Sequence, residues 1–354
     1  MYGDDIPRDR VAELYPQVHP ALIACAATVR ALLEQLCANH DVKVHTVEAR
    51  AKEPESLREK FLRHPHYERL ADAEDLCGVR IVTFYLDDVE QVRDLLHEEF
   101  EILKEESRHA QSPETFGYRS LHLIGRFDAR RRELPEYRAY GEFRIEFQVR
   151  TVLQHAWGVI SHSLDYKNEA EIPPEVRRRL FRVAALMETG DELFGSYRAE
   201  VHSLRARYLS QTRTEEWTQL PVDLDSVMTS RPRLPVGAVL KVAHDAGFDD
   251  LGEQEPEQQR WSAGVLVGVA NLAGVETLGQ LAERMSRVGR QASGLATLAA
   301  VSAQHGFVPF ADAMDVTSLS MLLDQPDLRV RFGTTFHPAI ELGLDAALRE
   351  ESAS

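Results

Sequence analysis

Residues 142–150 read Glu-Phe-Arg-Ile-Glu-Phe-Gln-Val-Arg, and this strict alternation constrains the chain more than any other stretch. Successive side chains of a strand point to opposite faces. Phe143, Ile145, Phe147 and Val149 therefore share one side, and Arg144, Glu146, Gln148 and Arg150 share the other. One face is apolar and asks for a core. The other is a row of acid, amide and base, which is expensive to bury unless something uses it. The bland alternative is an edge strand whose polar face is solvated.

The rest of the N-terminal part supplies partners for such a strand. Leu22, Ala26, Val29, Leu33 and Leu36 follow helical spacing, with Pro20 in a first turn. Residues 42–47 alternate as a short strand, and residues 50–63 read as a polar loop running into a basic helix. Residues 79–85 are β-branched and aromatic, as in a central strand. Asp87 is placed to cap a helix striped by Val89, Val92, Leu95 and Leu96, and Ser120–Phe127 reads as another strand. Thr151 is placed to cap the helix running through Trp157. A long helix follows Pro173-Pro174, with Val176, Leu180, Val183, Met187, Phe194, Tyr197, Val201 and Leu204 expected to pack across the sheet.

This pattern predicts an α+β (mixed α/β) domain over residues 1–211, its central mixed sheet flanked by helices. Prolines 221, 232 and 235 and the loss of periodicity mark a linker at 212–235. Residues 236–354 read as a mostly helical domain. There Gly247-Phe248, Gly274-Val275 and Gly306-Phe307 each follow an apolar stretch, as helix C-termini with their hydrophobic contacts do. A length of 354 residues agrees with about two domains.

Composition excludes several function classes. The net charge of −16 argues against non-specific DNA binding. Cys25, Cys37 and Cys77 are too few and scattered for a disulfide framework or a zinc site. The start Met1-Tyr2-Gly3-Asp4-Asp5 lacks a signal-peptide pattern, and the apolar run from Ala263 to Val275 is too short to span a bilayer. A cytoplasmic protein without a membrane partner is expected. His40-Asp41 and His244-Asp245 read as chance dipeptides, since no further metal ligands accompany them.

Asp75 lies just ahead of the strand at 79–85. If that strand neighbours 142–150, Asp75 and Glu146 converge on one cation, and two carboxylates with open positions suit Mg²⁺. Arg50, Lys52, Ser56 and Lys60 group cations around a hydroxyl, with Ser56 and Lys60 on one helix face. This clamps polyphosphate without a P-loop, whose GxxxxGK[ST] signature is absent. Gly117 precedes Tyr118 at the mouth of a strand, where the ring is able to stack on a base, and Ser120 shares a strand face with His122.

The order of these motifs resembles the synthetase domain of the RelA/SpoT family, the GTP pyrophosphokinases. It runs from Arg50-x-Lys52-x3-Ser56-x3-Lys60 through Asp75-Leu76-x-Gly78-Val79-Arg80 and Gly117-Tyr118-Arg119-Ser120-Leu121-His122. It continues with Glu146-x-Gln148-x-Arg150-Thr151 and His155-Ala156-Trp157, then His162 and Tyr166-Lys167. The resemblance covers about residues 20–210. It implies a nucleotidyltransferase-like fold, with Arg50, Lys52, Ser56, Lys60 and Arg80 on ATP and Asp75 and Glu146 on Mg²⁺. Glu146 is then also the base for a ribose 3′-hydroxyl. Tyr118, His122, Gln148, Arg150 and His155 would hold the acceptor. The implied reaction moves pyrophosphate from ATP to GDP or GTP, giving AMP and (p)ppGpp.

Val159 and Ser161 stand where relatives often carry acids, which bears on acceptor identity. No N-terminal hydrolase domain or ribosome-associated regulatory domain of the long relatives is expected. Alternatives are a toxic synthetase that modifies the tRNA 3′ end or makes adenosine alarmones, checked by its C-terminal domain, and a non-catalytic nucleotide sensor. The runs Arg130–Arg132 and Arg177–Arg179 are candidates for an RNA backbone, or simply solvated arginines. A homo-oligomer, and a regulator acting through the C-terminal domain, fit the same resemblance.

Overall fold

The computed structural model describes residues 6–107, 120–163, 173–248, 254–307, 312–333 and 336–353. The chain divides into two compact units, Met1–Arg198 and Ala199–Ser354. In the first, helix α1 (Val11–Asn39) precedes β1 (Val44–Ala51), α2 (Pro54–Arg63), β2 (Cys77–Thr83), α3 (Leu86–Glu99), β3 (Phe100–Ser107) and β4 (Leu121–Phe127). Then come α4 (Ala129–Glu133), α5 (Pro135–Arg138), β5 (Ile145–Thr151), α6 (Val152–Ser163) and α7 (Pro174–Gln211), whose residues from Ala199 on belong to the second unit. The strands form one sheet in the order β1-β2-β5-β4-β3. Only β2 and β5 run parallel; the other neighbours are antiparallel, so the sheet is mixed as expected.

One face of the sheet is covered. Val79 and Ile81 of β2, Ile145, Phe147 and Val149 of β5, and Leu123 of β4 share a single core with α1 and α3. Helix α1 is long and apolar enough to cross a membrane by length and composition alone, yet Leu22, Cys25, Ala26, Val29, Leu33 and Leu36 are buried in this core. The helix starts at Val11, so Pro16 and Pro20 lie inside it instead of Pro20 opening it. Buried Val11 and Tyr15 anchor the earlier turns.

Three further expectations are corrected. Strand β1 extends to Ala51 and so carries Arg50. The cap of α3 is Tyr85; Asp87 sits in the first turn, where a negative charge still suits the helix N-terminus. Strand β3 has no counterpart in the sequence reading, because Lys104-Glu105-Glu106 hides its alternation. It is a sheet edge, where charges are solvated.

Helix α7 meets the first unit through a different stripe from the one expected. Val176, Val183, Phe194 and Tyr197 are exposed, whereas Ala184 and Asp191, seven residues apart, are buried. Asp191 accepts a hydrogen bond from Thr151 Oγ1 at 2.7 Å, and Arg198, seven further on, pairs with buried Asp88 of α3. Thr151 also closes a capping box on α6: its Oγ1 accepts from Gln154 N at 3.1 Å, and Gln154 Oε1 accepts from Thr151 N at 2.9 Å. The end of β5 is thus tied to both following helices.

The second unit adds α8 (Leu224–Ser230), α9 (Val236–Asp245), α10 (Pro256–Leu272) and α11 (Leu278–Ser286). It closes with α12 (Ala292–Gln304), α13 (Ala313–Asp324), α14 (Asp327–Phe332) and α15 (Pro338–Ala353). The stretch 212–235 is folded into this unit instead of linking to it, since Leu220, Val222, Val227 and Leu234 are buried in its core. The glycine caps form as the sequence indicates. Gly247, Gly274 and Gly306 take φ of 93°, 72° and 71°, which glycine alone adopts without strain. Phe248, Val275 and Phe307 return hydrogen bonds to Ala243, Ala270 and Ser302.

Thr151→Val removes both the α6 cap and the Asp191 bond while keeping the side-chain volume. We expect a loss of about 1–3 kcal/mol, read as a lowered urea midpoint at unchanged m-value.

Candidate active site

The uncovered face of the sheet carries the polar row predicted for β5. Register fixes its neighbours. Arg50 of β1 lies opposite Gly78 of β2, and Gly78 opposite Glu146 of β5. One step along, Glu48, Arg80, Gln148 and His122 are aligned across β1, β2, β5 and β4. Glu48, Arg50, Asp75, Gly78, Arg80, Glu146 and Gln148 line one cavity of about 250 Å³. A side chain at Gly78 would meet nothing within 4 Å, so this glycine keeps the floor open between Arg50 and Glu146.

Asp75 precedes β2 and faces this cavity from the side of α2. Lys52 Nζ donates to its Oδ2 at 2.7 Å and Lys60 Nζ to its Oδ1 at 2.8 Å. Burial alone would raise the Asp75 pKa, but the two ammonium groups more than offset that and hold it below the ordinary carboxylate value. Both lysines are positioned by groups remote in sequence. Tyr15 of α1 donates to the Lys52 carbonyl at 2.5 Å, and Lys52 N donates to the Leu76 carbonyl at 2.8 Å. Arg8 donates to the carbonyls of Phe61, His64, Pro65 and Tyr67 at 2.7–3.1 Å, satisfying the C-terminal end of the helix that bears Lys60. Ser56 is exposed in the first turn of α2, four residues before Lys60.

Glu146 is held from both sides. His122 Nδ1 lies 3.0 Å from its Oε1, and Gln148 Nε2 donates to its Oε2 at 2.9 Å. Arg150 in turn donates to Gln148 Oε1 at 2.8 Å. Burial acts to raise the Glu146 pKa, as does the Asp75 charge, yet these hydrogen bonds prevail and hold it below the ordinary value. Both carboxylates are therefore ionised at neutral pH and close enough to sense each other. His155 of α6 lies beside Arg80 and Arg150; burial, then those two charges, push its pKa down and leave a neutral imidazole. A Cβ at Gly158 would come within 2.9 Å of the Arg150 guanidinium, so that glycine makes room for it.

The structure thus brings Arg50, Lys52, Lys60, Asp75, Arg80, Glu146, Gln148, Arg150 and His155 to one region of the first unit. Tyr118 lies outside the described residues, as do Gly117, Arg119, Tyr166 and Lys167. Both ring nitrogens of His122, expected on the acceptor side, lie within hydrogen-bond distance of protein partners, Ser120 and Glu146. The arginine run at 130–132 is already paired: Arg130 with Asp128, Arg131 with Glu99 and Arg132 with Glu101. Tyr15, Arg8 and Asp191 escaped the sequence reading, since their partners are remote carbonyls or a hydroxyl that no local spacing announces.

The sequence pattern of the region found in RelA / SpoT proteins matches residues 49–171, which span this site and lie within the first unit. GTP pyrophosphokinase YjbM of Bacillus subtilis (strain 168) is 30% identical over 179 residues, covering 49% of this chain and 81% of that protein. The chain belongs to the RelA/SpoT family. It is a small RelA/SpoT-type synthetase. GTP pyrophosphokinase YwaC of the same organism is 29% identical over 168 residues, covering 46% of this chain and 77% of that protein. The crystal structure of the small alarmone synthetase 1 from Bacillus subtilis aligns at a TM-score of 0.45 and 24% identity, covering 53% of this chain and 98% of that one.

Removing one ammonium should weaken the depression of the Asp75 pKa. In Lys60→Met, burial is opposed by Lys52 alone, and the Asp75 pKa rises. The sign for stability follows. A depressed carboxylate stabilises the fold above its unfolded value near pH 4 and loses that contribution as pH falls through the folded pKa. The variant should lose the contribution at higher pH than the parent. A ¹³C carboxyl titration by NMR checks this; an unmoved Asp75 would mean that Lys60 does not govern it.

Proposed function

We propose that this chain transfers the β,γ-pyrophosphate of ATP to the ribose 3′-oxygen of GDP or GTP, forming (p)ppGpp and AMP. The observation that carries the reading is the meeting of two ionised carboxylates, Asp75 and Glu146, at one cavity bordered by Arg50 and Arg80. Kinship with the GTP pyrophosphokinases of Bacillus subtilis supports the reaction class.

The residues divide by chemistry. Arg50, Arg80, Lys52, Lys60 and the Ser56 hydroxyl serve the polyphosphate of ATP. Arginine forks suit phosphate oxygens, and lysines act as point charges. Gln148, Arg150 and His155 serve the acceptor side, with Tyr118 as the stacking partner of its base. Glu146 accepts the proton of the attacking hydroxyl or orients it, which requires hydrogen-bond reach in the bound complex. Its depressed pKa keeps it in the form that can accept. In-line displacement leaves little covalent work for the protein, so alignment and neutralisation of phosphoryl charge carry the acceleration.

Asp75 and Glu146 fit Mg²⁺. Both are hard oxygen donors, and both are ionised. Two carboxylates leave positions for water and substrate phosphates, the usual arrangement for this ion. When bound, Mg²⁺ would neutralise phosphate charge beside the reacting bond.

The first unit is then the synthetase, and the second a candidate for regulating it or binding a regulator. Val159, Ile160, Leu186, Leu193, Phe194 and Tyr197 are exposed apolar side chains on α6 and α7, and they suit a contact between copies of the chain. A cytoplasmic setting agrees with soluble nucleotide substrates. Arg130, Arg131 and Arg132 are held in internal pairs, which counts against that run as a tRNA contact.

The test is incubation of the full chain with γ-labelled ATP and, separately, GDP, GTP, ATP or deacylated tRNA. Label should move to GDP or GTP with release of AMP, and Glu146→Gln should lose about 10²–10⁴-fold in turnover while still binding ATP. Label only on tRNA or ATP would replace the acceptor. ATP bound without transfer, by the full chain and by a version ending near Ser210, would make the protein a sensor.

A further inference from the structure

Ser120, His122, Glu146, Gln148 and Arg150 form an unbroken hydrogen-bonded series across two neighbouring strands. Ser120 Oγ lies 2.9 Å from His122 Nε2, and His122 Nδ1 lies 3.0 Å from Glu146 Oε1. Gln148 Nε2 reaches Glu146 Oε2 at 2.9 Å, and Arg150 reaches Gln148 Oε1 at 2.8 Å. The register explains the grouping. His122 stands directly opposite Gln148, and both flank Glu146 on the open face of the sheet.

The carboxylate of Glu146 sets the donors that face it. An ionised carboxylate only accepts, so His122 Nδ1 carries the hydrogen. The other ring nitrogen, Nε2, faces Ser120 Oγ, and with a single ring hydrogen on Nδ1 that hydroxyl is the donor. Gln148 must turn its amide nitrogen toward Glu146, which leaves its oxygen for Arg150. His122 is only 8% exposed, and both of its nitrogens are spent on protein partners. A side chain so engaged is poorly suited to grip a ligand. It is well suited to hold the carboxylate beside it.

We propose that Ser120 and His122 are positioning residues for Glu146. They fix the direction of its carboxylate, and His122 does not bind the acceptor nucleotide. This rests on the reading of Glu146 as the group that receives the hydroxyl proton. Ser120 holds the imidazole in the Nδ1–H tautomer. The imidazole and the Gln148 amide then clamp the two carboxylate oxygens from opposite sides, so that the remaining lone pairs face the cavity. Outer partners of this kind typically govern activity by about 10–100-fold.

Two measurements on the full chain test this. The first uses Ser120→Ala, His122→Gln and His122→Asn, with kcat and KM taken for each substrate. An asparagine amide can stand where Nδ1 stands and still donate to Glu146, whereas a glutamine amide reaches toward the Nε2 position. We expect Ser120→Ala and His122→Gln to lower kcat by about 10–100-fold with the acceptor KM within about twofold, and His122→Asn to recover most of the loss. A raised acceptor KM at unchanged kcat, or no advantage of asparagine over glutamine, would overturn the proposal and return His122 to the acceptor pocket.

The second measurement needs no variant and no turnover. The ¹⁵N shifts of His122 in the parent chain should report the Nδ1–H tautomer; the Nε2–H tautomer would end the proposal. If the parent transfers pyrophosphate to no acceptor, the pyrophosphokinase reading fails separately, and the tautomer still decides whether Ser120 and His122 hold Glu146 in this way.

Discussion

Parallel pairing of β2 with β5, with Gly78 opposite Glu146, is the constraint on which the site depends. Side chains alternate with a period of two, so a slip of one residue would carry Glu146, Gln148 and Arg150 into the core and expose Phe147 and Val149. The apolar face forbids that slip, because Ile145, Phe147 and Val149 are packed against α1 and α3. Hydrophobic burial on one side of the strand thereby sets the chemistry on the other. The same register brings Arg50, two strands from Glu146 in the sheet, into line with a residue 96 positions later in the chain.

Electrostatics then divides the site into two ionised carboxylates with different surroundings. Asp75 is neutralised by two ammonium groups. Glu146 accepts from an imidazole and an amide. Lys52 and Lys60 hold Asp75 in the described state and are also the cations proposed for ATP phosphates. Arrival of a polyphosphate therefore means an exchange of partners at Asp75. Glu146 needs no such exchange, since its holders belong to the neighbouring strand positions.

Much of this was legible in the sequence, for identifiable reasons. The β5 alternation is strict, and period two admits one structure. The Thr151 cap and the three glycine helix ends are local motifs with local partners. Asp75 and Glu146 were expected to converge only if β2 and β5 were neighbours, and they are. What escaped was non-local or masked by charge. β3 carries Lys104, Glu105 and Glu106 on an exposed edge, so its pattern does not read as a strand. α7 packs through Ala184, Asp191 and Arg198, a seven-residue series of small and polar residues, while Val176, Val183, Phe194 and Tyr197 of the apolar stripe stay exposed. The prolines at 221, 232 and 235 resemble linker punctuation, yet the segment around them buries four apolar side chains in the second core. The contact of His122 with Glu146 exists only across folded strands, so no local spacing announces it.

The proposed reaction depends on where ATP and its metal meet the sheet. A crystal structure of the full chain with Mg²⁺ and a non-hydrolysable ATP analogue is the most direct measurement. It should place one Mg²⁺ at about 2.0–2.1 Å from oxygens of both Asp75 and Glu146, with the triphosphate against Arg50 and Arg80. A nucleotide seated on any other surface, or a metal that either carboxylate fails to touch, would contradict it.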